Sequence, residues 1–209
     1  MQQSTDNNMI FKEDNFLPID VLDKLSDKTA YLYKLAKVET SFLNITVPVI
    51  DDDNGVYEIT QSKQFCKRFR FFCNGDDVMK ETVDFFGEDI EKVILCTKQY
   101  IIDQGWKDIK LSNVWFQYGD TESLMHRHTD GQIRGVEYQN CLTSMIFCHK
   151  KWDDDCGGIF RAVDGDTTKS FGPTPNRLVV WNRNHAHWMT PIVKECPLRM
   201  FIGMSWYAK

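Results

Sequence analysis

No run in this chain approaches the eighteen or so apolar residues that a membrane-crossing helix needs, and the opening MQQSTDNNM has no apolar signal core. The chain is therefore expected to be neither embedded in a membrane nor exported, and its expected location is cytoplasmic. Runs of Lys or Arg are missing too: 30 acidic residues against 25 basic ones leave a net charge of −5 and a pI of about 5.5. Proteins that grip duplex DNA through phosphates carry a concentrated basic patch, so nucleic acid is not the expected partner. The seven cysteines, at 66, 73, 96, 141, 148, 156 and 196, contain no C-x-x-C pair, and their odd number leaves at least one thiol free. That usage suits a reducing compartment. No internal repeat or low-complexity tract is visible. Asn44-Ile45-Thr46 has the form of a glycosylation acceptor, but without an export signal that role is not expected.

What is present suits a packed globule: 209 residues, 42% apolar and 13% aromatic. One domain is expected, with residues 1–109 as helical support and 110–209 as a β-rich core. Ile10-Phe11 and Phe16-Leu17-Pro18 read as an opening strand and turn before a helix running to about Lys37, with Val21, Leu22, Leu25, Leu32, Leu35 and Ala36 on its apolar face. Asp51-Asp52-Asp53-Asn54-Gly55 is an exposed turn; its carboxylates lack the other ligands of a calcium loop, the distal glutamate included. From Asp76 to Gly105, Met79, Val83, Phe86, Ile90, Val93, Ile94 and Ile101 recur at helical spacing, with a break at Gly87. Beyond Trp106 come short β-rich runs at 111–118, 124–130, 141–149, 157–163, 177–182, 186–193 and 198–207. The expected class is α+β, an antiparallel sandwich or barrel with the helices buttressing one sheet.

Within the β half, His128-Thr129-Asp130 is followed much later by His187. Residues i and i+2 of a strand point the same way, so His128 and Asp130 can reach one metal while Thr129 faces away. Two imidazoles and a carboxylate on one face of an octahedral ion leave three positions open, the arrangement of non-haem Fe(II) oxygenases. Arg199 follows His187 by twelve residues across the turn Lys194-Glu195-Cys196-Pro197. On an antiparallel strand it returns to the depth of the metal, where its planar guanidinium can hold a carboxylate. A five-carbon dicarboxylate has the reach to chelate the metal at one end and meet Arg199 at the other.

The stretch from Asn113 to Tyr207 resembles the catalytic core of the 2-oxoglutarate and Fe(II)-dependent dioxygenases, in particular the prolyl 4-hydroxylase and hypoxia-sensing prolyl hydroxylase branch. NCLTSMIFCHKKWDDDCGGIFRAV (140–163) is similar to that branch's strand, acidic turn and double-glycine strand. NRLVVWNRNHAHWMTPI (176–192) is similar to its distal-histidine segment. The resemblance implies a double-stranded β-helix, or jelly-roll, of about eight strands from roughly residue 110. It makes His128, Asp130 and His187 the iron ligands and catalytic centre, Arg199 the partner of the 2-oxoglutarate distal carboxylate, and Tyr118 a residue lining the co-substrate pocket. It implies oxidative decarboxylation to succinate and CO2 coupled to hydroxylation of a substrate C–H, and it admits ascorbate. A prolyl residue of a peptide or protein is the substrate it favours, with a free amino acid, small metabolite or nucleobase as the alternative.

Two positions depart from that pattern. Phe147 stands where hypoxia-sensing relatives have a second co-substrate tyrosine, and Phe201 where collagen-type relatives have a small hydroxyl residue. Rival histidines exist: His126 shares parity with His128, and His185 with His187, whose offset to Pro191 favours it. His149 reads as a strand-end surface residue. Phe201, Gly203 and Ser205 share a face with Arg199, and Gly203 is expected to leave room beside the co-substrate. Trp115, Trp181, Trp188 and Trp206 are core or rim aromatics. Loops near 51–75 and 131–140 are candidate lids, with Arg134, Glu137 and Tyr138 as candidate peptide contacts. A non-catalytic jelly-roll that binds metal or sugar is the reading of another class.

Overall fold

The computed structural model describes residues 10–40, 47–51, 55–62, 65–72, 77–121, 123–133, 135–193 and 195–208, and for residues 32, 34–72 and 85 the backbone alone. The order is β1 (Ile10–Glu13), α1 (Ile19–Thr40), β2 (Val47–Asp51), β3 (Gly55–Ser62), β4 (Phe65–Phe72), α2 (Val78–Phe86), α3 (Glu88–Asp103) and β5 (Ile109–Gly119). Then follow β6 (Met125–His128), β7 (Cys141–Phe147), β8 (Phe160–Asp164), β9 (Thr167–Phe171), β10 (Leu178–Asn182), β11 (His187–Met189) and β12 (Arg199–Ala208).

The helices form where apolar spacing, caps and charges agree. The Asp77 carboxylate accepts the Lys80 amide at 3.0 Å and starts α2. Gly87, at φ +89, ends α2 and opens α3, a conformation that a side chain would resist. Glu88, Asp89 and Glu91 crowd the first turn of α3, where the helix dipole favours negative charge. Ile90, Val93, Ile94, Thr97 and Ile101 form its buried stripe.

Among the described residues, twelve strands make two sheets: β1-β10-β7-β12-β5-β4-β3-β2, and β6-β11-β8-β9. The eight strands β5 to β12 divide four and four between them, the jelly-roll that the sequence predicts. Strand alternation partitions the larger sheet. Met200, Ile202, Met204 and Trp206 of β12, with Val114 and Phe116 of β5, face the helices and join Leu25, Val93 and Ile94 in one core. Trp115, Met145, Phe147, Val179, Trp181 and Phe201 face the other way, toward Phe160, Ala162 and Phe171 of the smaller sheet. The helices thus seal one face of the large sheet and leave its other face to the space between the sheets.

Several elements differ from the sequence reading. The region near 51–75, expected as a lid, carries β3 and β4, and β4 pairs with β5 as a lateral extension of the large sheet. Asp51 pairs with Gly55 where β2 and β3 run antiparallel, while Asp52-Asp53-Asn54 of the expected turn and the Asn44-Ile45-Thr46 acceptor lie outside the described residues. Strand β9 is absent from the sequence reading because Thr167 to Ser170 are all exposed and show no buried alternation. No helix among the described residues is long and apolar enough to cross a membrane.

The cysteines also differ from their reading as reduced thiols: Cys156 and Cys196 form a disulfide, while Cys96, Cys141 and Cys148 are free. Spacing gave no signal of this bond, because its halves lie 40 residues apart and are brought together only by the packing of the 156–158 turn against the approach to β12. A bond closing a loop of that length restricts the unfolded chain, and Cys156→Ser with Cys196→Ser is expected to lower unfolding free energy by about 4 kcal/mol. Urea denaturation with and without a reductant checks this; identical midpoints would exclude a stabilising crosslink.

Candidate metal centre and its cavity

His128 ends β6 and His187 begins β11, and the two are direct cross-strand partners. Their ring centroids lie 4.4 Å apart. Asp130 follows two residues beyond His128, and one donor atom from each of the three side chains lies within 4.8 Å of the others. His187 Nε2 is 3.7 Å from Asp130 Oδ1. Each imidazole is oriented through its second nitrogen. His128 Nδ1 lies 2.7 Å from the His126 carbonyl oxygen and His187 Nδ1 lies 3.0 Å from that of His185. A carbonyl only accepts, so Nδ1 carries the proton in both rings and Nε2 presents a lone pair to the shared centre.

Asp130 is oriented the same way. The Thr143 hydroxyl donates to Oδ2 at 2.7 Å, leaving Oδ1 on the side of His187. Burial works to raise the Asp130 pKa, but His187, Arg183, the Thr143 hydrogen bond and His128 together outweigh it and hold the group below the usual carboxylate value. Burial lowers the His187 pKa, with Asp130 opposing. The trio therefore offers a carboxylate and a neutral imidazole at neutral pH, the protonation states that metal ligation requires. Two nitrogens and one oxygen on one side fit a ferrous ion.

These groups open onto a cavity of about 410 Å³ between the sheets. Across it lies Arg199, 1% exposed. Its Nε donates to the Gly158 carbonyl at 3.0 Å, and its guanidinium carbon lies 4.8 Å from the Phe147 ring centre and 5.1 Å from that of Phe201. The double glycine has a steric cause. A Cβ on Gly157 would lie 2.2 Å from the Pro191 carbonyl oxygen, and one on Gly158 would lie 3.2 Å from Arg199 Cδ; both residues have positive φ. The glycines let this turn close over the arginine.

Of the residues singled out in the sequence, His128, Asp130, His187 and Arg199 all line this one cavity. Tyr118 does not. It sits on the helix-facing side of β5, 2% exposed, packed edge-on against Tyr33 at 4.6 Å. Its expected role in the co-substrate pocket has no geometric support, because strand parity turns Gln117 inward instead. Gln117 is 3% exposed, and its amide has no hydrogen-bond partner among the described residues. Parity on β5 counted from its partner strand could have found it: Gln117 pairs with Phe201, two residues from Arg199 on the same face.

His149 is the second correction. It is 2% exposed, with Nε2 2.6 Å from the Pro173 carbonyl oxygen and Nδ1 accepting the Met200 amide at 3.1 Å. Two backbone groups hold it as a neutral ring beside the start of β12. His126 is exposed, and His185 Nδ1 turns to the Val163 carbonyl at 2.5 Å, so neither joins the trio. The space at Gly203 is filled by the Trp115 indole, since a Cβ there would lie 2.1 Å from that ring. Trp115 and Trp181 line the cavity, Trp206 is buried among the helix-side residues, and Trp188 lies under Arg127 at 5.4 Å. The Tyr138 hydroxyl donates to the Asp130 carbonyl, so it braces the ligand loop. Glu137 is exposed, and Arg134 lies outside the described residues. A second acidic group, Asp153, Asp155 and Cys156, offers no thiolate because Cys156 is disulfide-bonded.

The profile of the 2OG-Fe(II) oxygenase superfamily matches residues 114–208, from β5 to the end of β12. The match spans somewhat under half of the chain, the part that carries His128, Asp130, His187 and Arg199. No curated protein sequence matches closely enough to count as a relative. Among solved structures, a Pseudomonas putida prolyl-4-hydroxylase is 15% identical, with 96% of this chain and 92% of that one covered and a TM-score of 0.61. A Trichoplax adhaerens prolyl hydroxylase in complex with a hypoxia-inducible-factor peptide is 16% identical, with 96% and 84% covered and a TM-score of 0.63. HygX from Streptomyces hygroscopicus, with nickel and 2-oxoglutarate bound, is 9% identical, with 98% and 84% covered and a TM-score of 0.62. At these identities the structural likeness speaks for the fold.

Burial lowers the His149 pKa from 6.5 to about 4, with Arg199 adding to the shift. Above pH 6.5 neither folded nor unfolded chain protonates it. As pH falls toward 4 the unfolded chain takes the proton first, so stability drops through that window, by about 3 kcal/mol from this group. Urea midpoints across pH 7 to 4 should fall more steeply in wild type than in His149→Leu; parallel curves would remove His149 as the cause.

Proposed function

We propose that this protein is an Fe(II)- and 2-oxoglutarate-dependent dioxygenase that hydroxylates a C–H bond of a prolyl residue in a peptide or protein, using His128, Asp130 and His187 to hold iron and Arg199 with Gln117 to hold 2-oxoglutarate. The observation that carries the metal assignment is the convergence of two Nε2 lone pairs and one carboxylate oxygen on a cavity whose far wall holds a buried arginine. The prolyl substrate is supported by the resemblance of the β half and by the named activities of the Pseudomonas and Trichoplax neighbours.

Iron and 2-oxoglutarate, when bound, supply the oxidative chemistry: O2 is consumed, 2-oxoglutarate leaves as succinate and CO2, and one oxygen atom enters the substrate. The chain's residues do the rest. The carbonyls of His126 and His185 fix both imidazoles in the ligating tautomer, and Thr143 fixes the carboxylate. Arg199, desolvated between two phenyl faces and tethered to Gly158, presents its guanidinium to the distal carboxylate. Gln117 supplies the second polar contact that Phe147 and Phe201 cannot. Phe160, Trp181, Met125 and Met189 give the cavity apolar walls that exclude water from the reacting carbon.

Succinate release should require iron, O2 and 2-oxoglutarate together, and mass spectrometry of proline-containing peptides should show a gain of about 16 Da. His128→Ala, Asp130→Ala and His187→Ala are each expected to lower turnover at least about 100-fold and to weaken iron binding measured separately, with unchanged circular dichroism. Folded variants that keep iron would refute the assignment. Arg199→Ala should weaken 2-oxoglutarate binding roughly 10- to 100-fold and Gln117→Leu about 5- to 10-fold, measured without O2 by calorimetry. Unchanged affinity in either removes that residue from the co-substrate site.

A further inference from the structure

Among the described residues, the wall of the cavity contains three formally charged side chains, Asp130, Arg183 and Arg199. Arg183 is half-buried in the turn between β10 and β11, and every acceptor that it meets among the described residues is neutral. Its Nε donates to the Gly131 carbonyl at 2.8 Å, and its Nη1 to Ser205 Oγ at 2.5 Å and Thr143 Oγ1 at 3.3 Å. Its backbone amide is held too, by the Cys141 carbonyl at 3.0 Å. Those bonds use the donors of Nε and Nη1 and lock the guanidinium in place; both N–H groups of Nη2 are left without a described acceptor. No described carboxylate lies within ion-pair distance.

Charge accounting across the loaded site, which rests on the oxygenase reading above, makes this arginine informative. Fe(II) is balanced by Asp130 and the chelating carboxylate of 2-oxoglutarate, and Arg199 by the distal carboxylate that it is proposed to hold. Among the described residues Arg183 remains, one positive charge in excess on the wall of a partly enclosed cavity. It is also close to the reacting centre, since Thr143 bonds both the Arg183 guanidinium and the Asp130 carboxylate. A solvent-facing arginine needs no such partner, but one held rigidly by three neutral acceptors with two donors to spare is preorganised for an anion.

We propose that Arg183 anchors a carboxylate of the substrate, so that this enzyme prefers molecules whose hydroxylated residue carries or adjoins a free carboxylate. Two sources share that chemistry: a free or N-acylated amino acid, and a peptide ending at that residue. An internal prolyl residue flanked by amides would leave Arg183 uncompensated.

The test uses two matched pairs on the enzyme loaded with Fe(II) and 2-oxoglutarate without O2: N-acetyl-L-proline against N-acetyl-L-prolinamide, and a tripeptide ending in proline against its C-terminal amide. Binding is read from the fluorescence of the cavity tryptophans. The acid of at least one pair should bind roughly tenfold or more tightly than its amide; which pair shows it separates the two sources. Arg183→Met should bring the ratio close to one, and Arg183→Lys should restore part of it. A ratio is insensitive to a general loss of packing around Thr143. Equal binding of acid and amide in both pairs, absence of binding included, overturns the proposal, as does a preference that survives in Arg183→Met. Failure of the oxygenase reading is distinguished separately, by absence of iron-dependent 2-oxoglutarate consumption when O2 is admitted.

Discussion

One antiparallel pairing carries the site: His128 opposite His187, at the end of β6 and the start of β11. Directly opposed residues bring their Cβ atoms to about 5 Å, so two imidazoles can converge without a long loop to position either. On its other side His187 lies opposite Ala162, whose single methyl leaves the space between the sheets clear. The same offset of two residues supplies the orienting carbonyl on both strands, His126 for one ring and His185 for the other. Ring orientation is therefore written into the strands themselves. A slip of one residue between β6 and β11 would turn one imidazole to the outer surface and separate it from the other.

The large sheet supplies the opposite wall by the same rule applied to longer strands. On β12, Met200, Ile202, Met204 and Trp206 join the helix-packed core, while Arg199 and Phe201 line the cavity. Burying a guanidinium is costly unless its charge and donors find partners. Here the Gly158 carbonyl and the faces of Phe147 and Phe201 offset part of that cost with a neutral dipole and two ring quadrupoles. None of these is an anion. The aromatic residues at the two positions that depart from the relatives' pattern thus have a physical account: they hold the arginine from its flanks.

Much of this was legible in the residues. The i, i+2 relation of His128 and Asp130, the shared face of Arg199 and Phe201, and the helical spacing around Gly87 all follow from the periods of 2 and 3.6. What was not legible depends on pairing between distant segments. Tyr118 was expected in the pocket from the resemblance, but β5 takes its parity from β12, and that pairing turns Gln117 inward. His149 follows an apolar run and precedes two lysines, a surface pattern, yet its ring is claimed by the Pro173 and Met200 backbones. The Cys156–Cys196 bond and strands β3 and β4 likewise depend on what packs against what, and not on local periodicity.

The depth of Arg199 shows how those long-range contacts converge. Its chain approaches from the segment tied by Cys196 to Cys156, and the residues after Cys156 are the two glycines that close over Pro191 and over the arginine's own methylenes. The Gly158 amide donates to the Pro191 carbonyl at 3.1 Å, and the Gly158 carbonyl accepts from Arg199 Nε at 3.0 Å. One residue without a side chain therefore bridges the segment that follows β11 to the start of β12. Any Cβ at Gly158 must displace Trp152, Ile192 or the arginine itself, each within 3.3 Å of it. The distance between the metal ligands and the arginine across the cavity is accordingly set by a crosslink, a steric vacancy and two hydrogen bonds acting on one turn. On the proposed reading a five-carbon dicarboxylate spans that distance, which ties the double glycine to the site as closely as the charged residues.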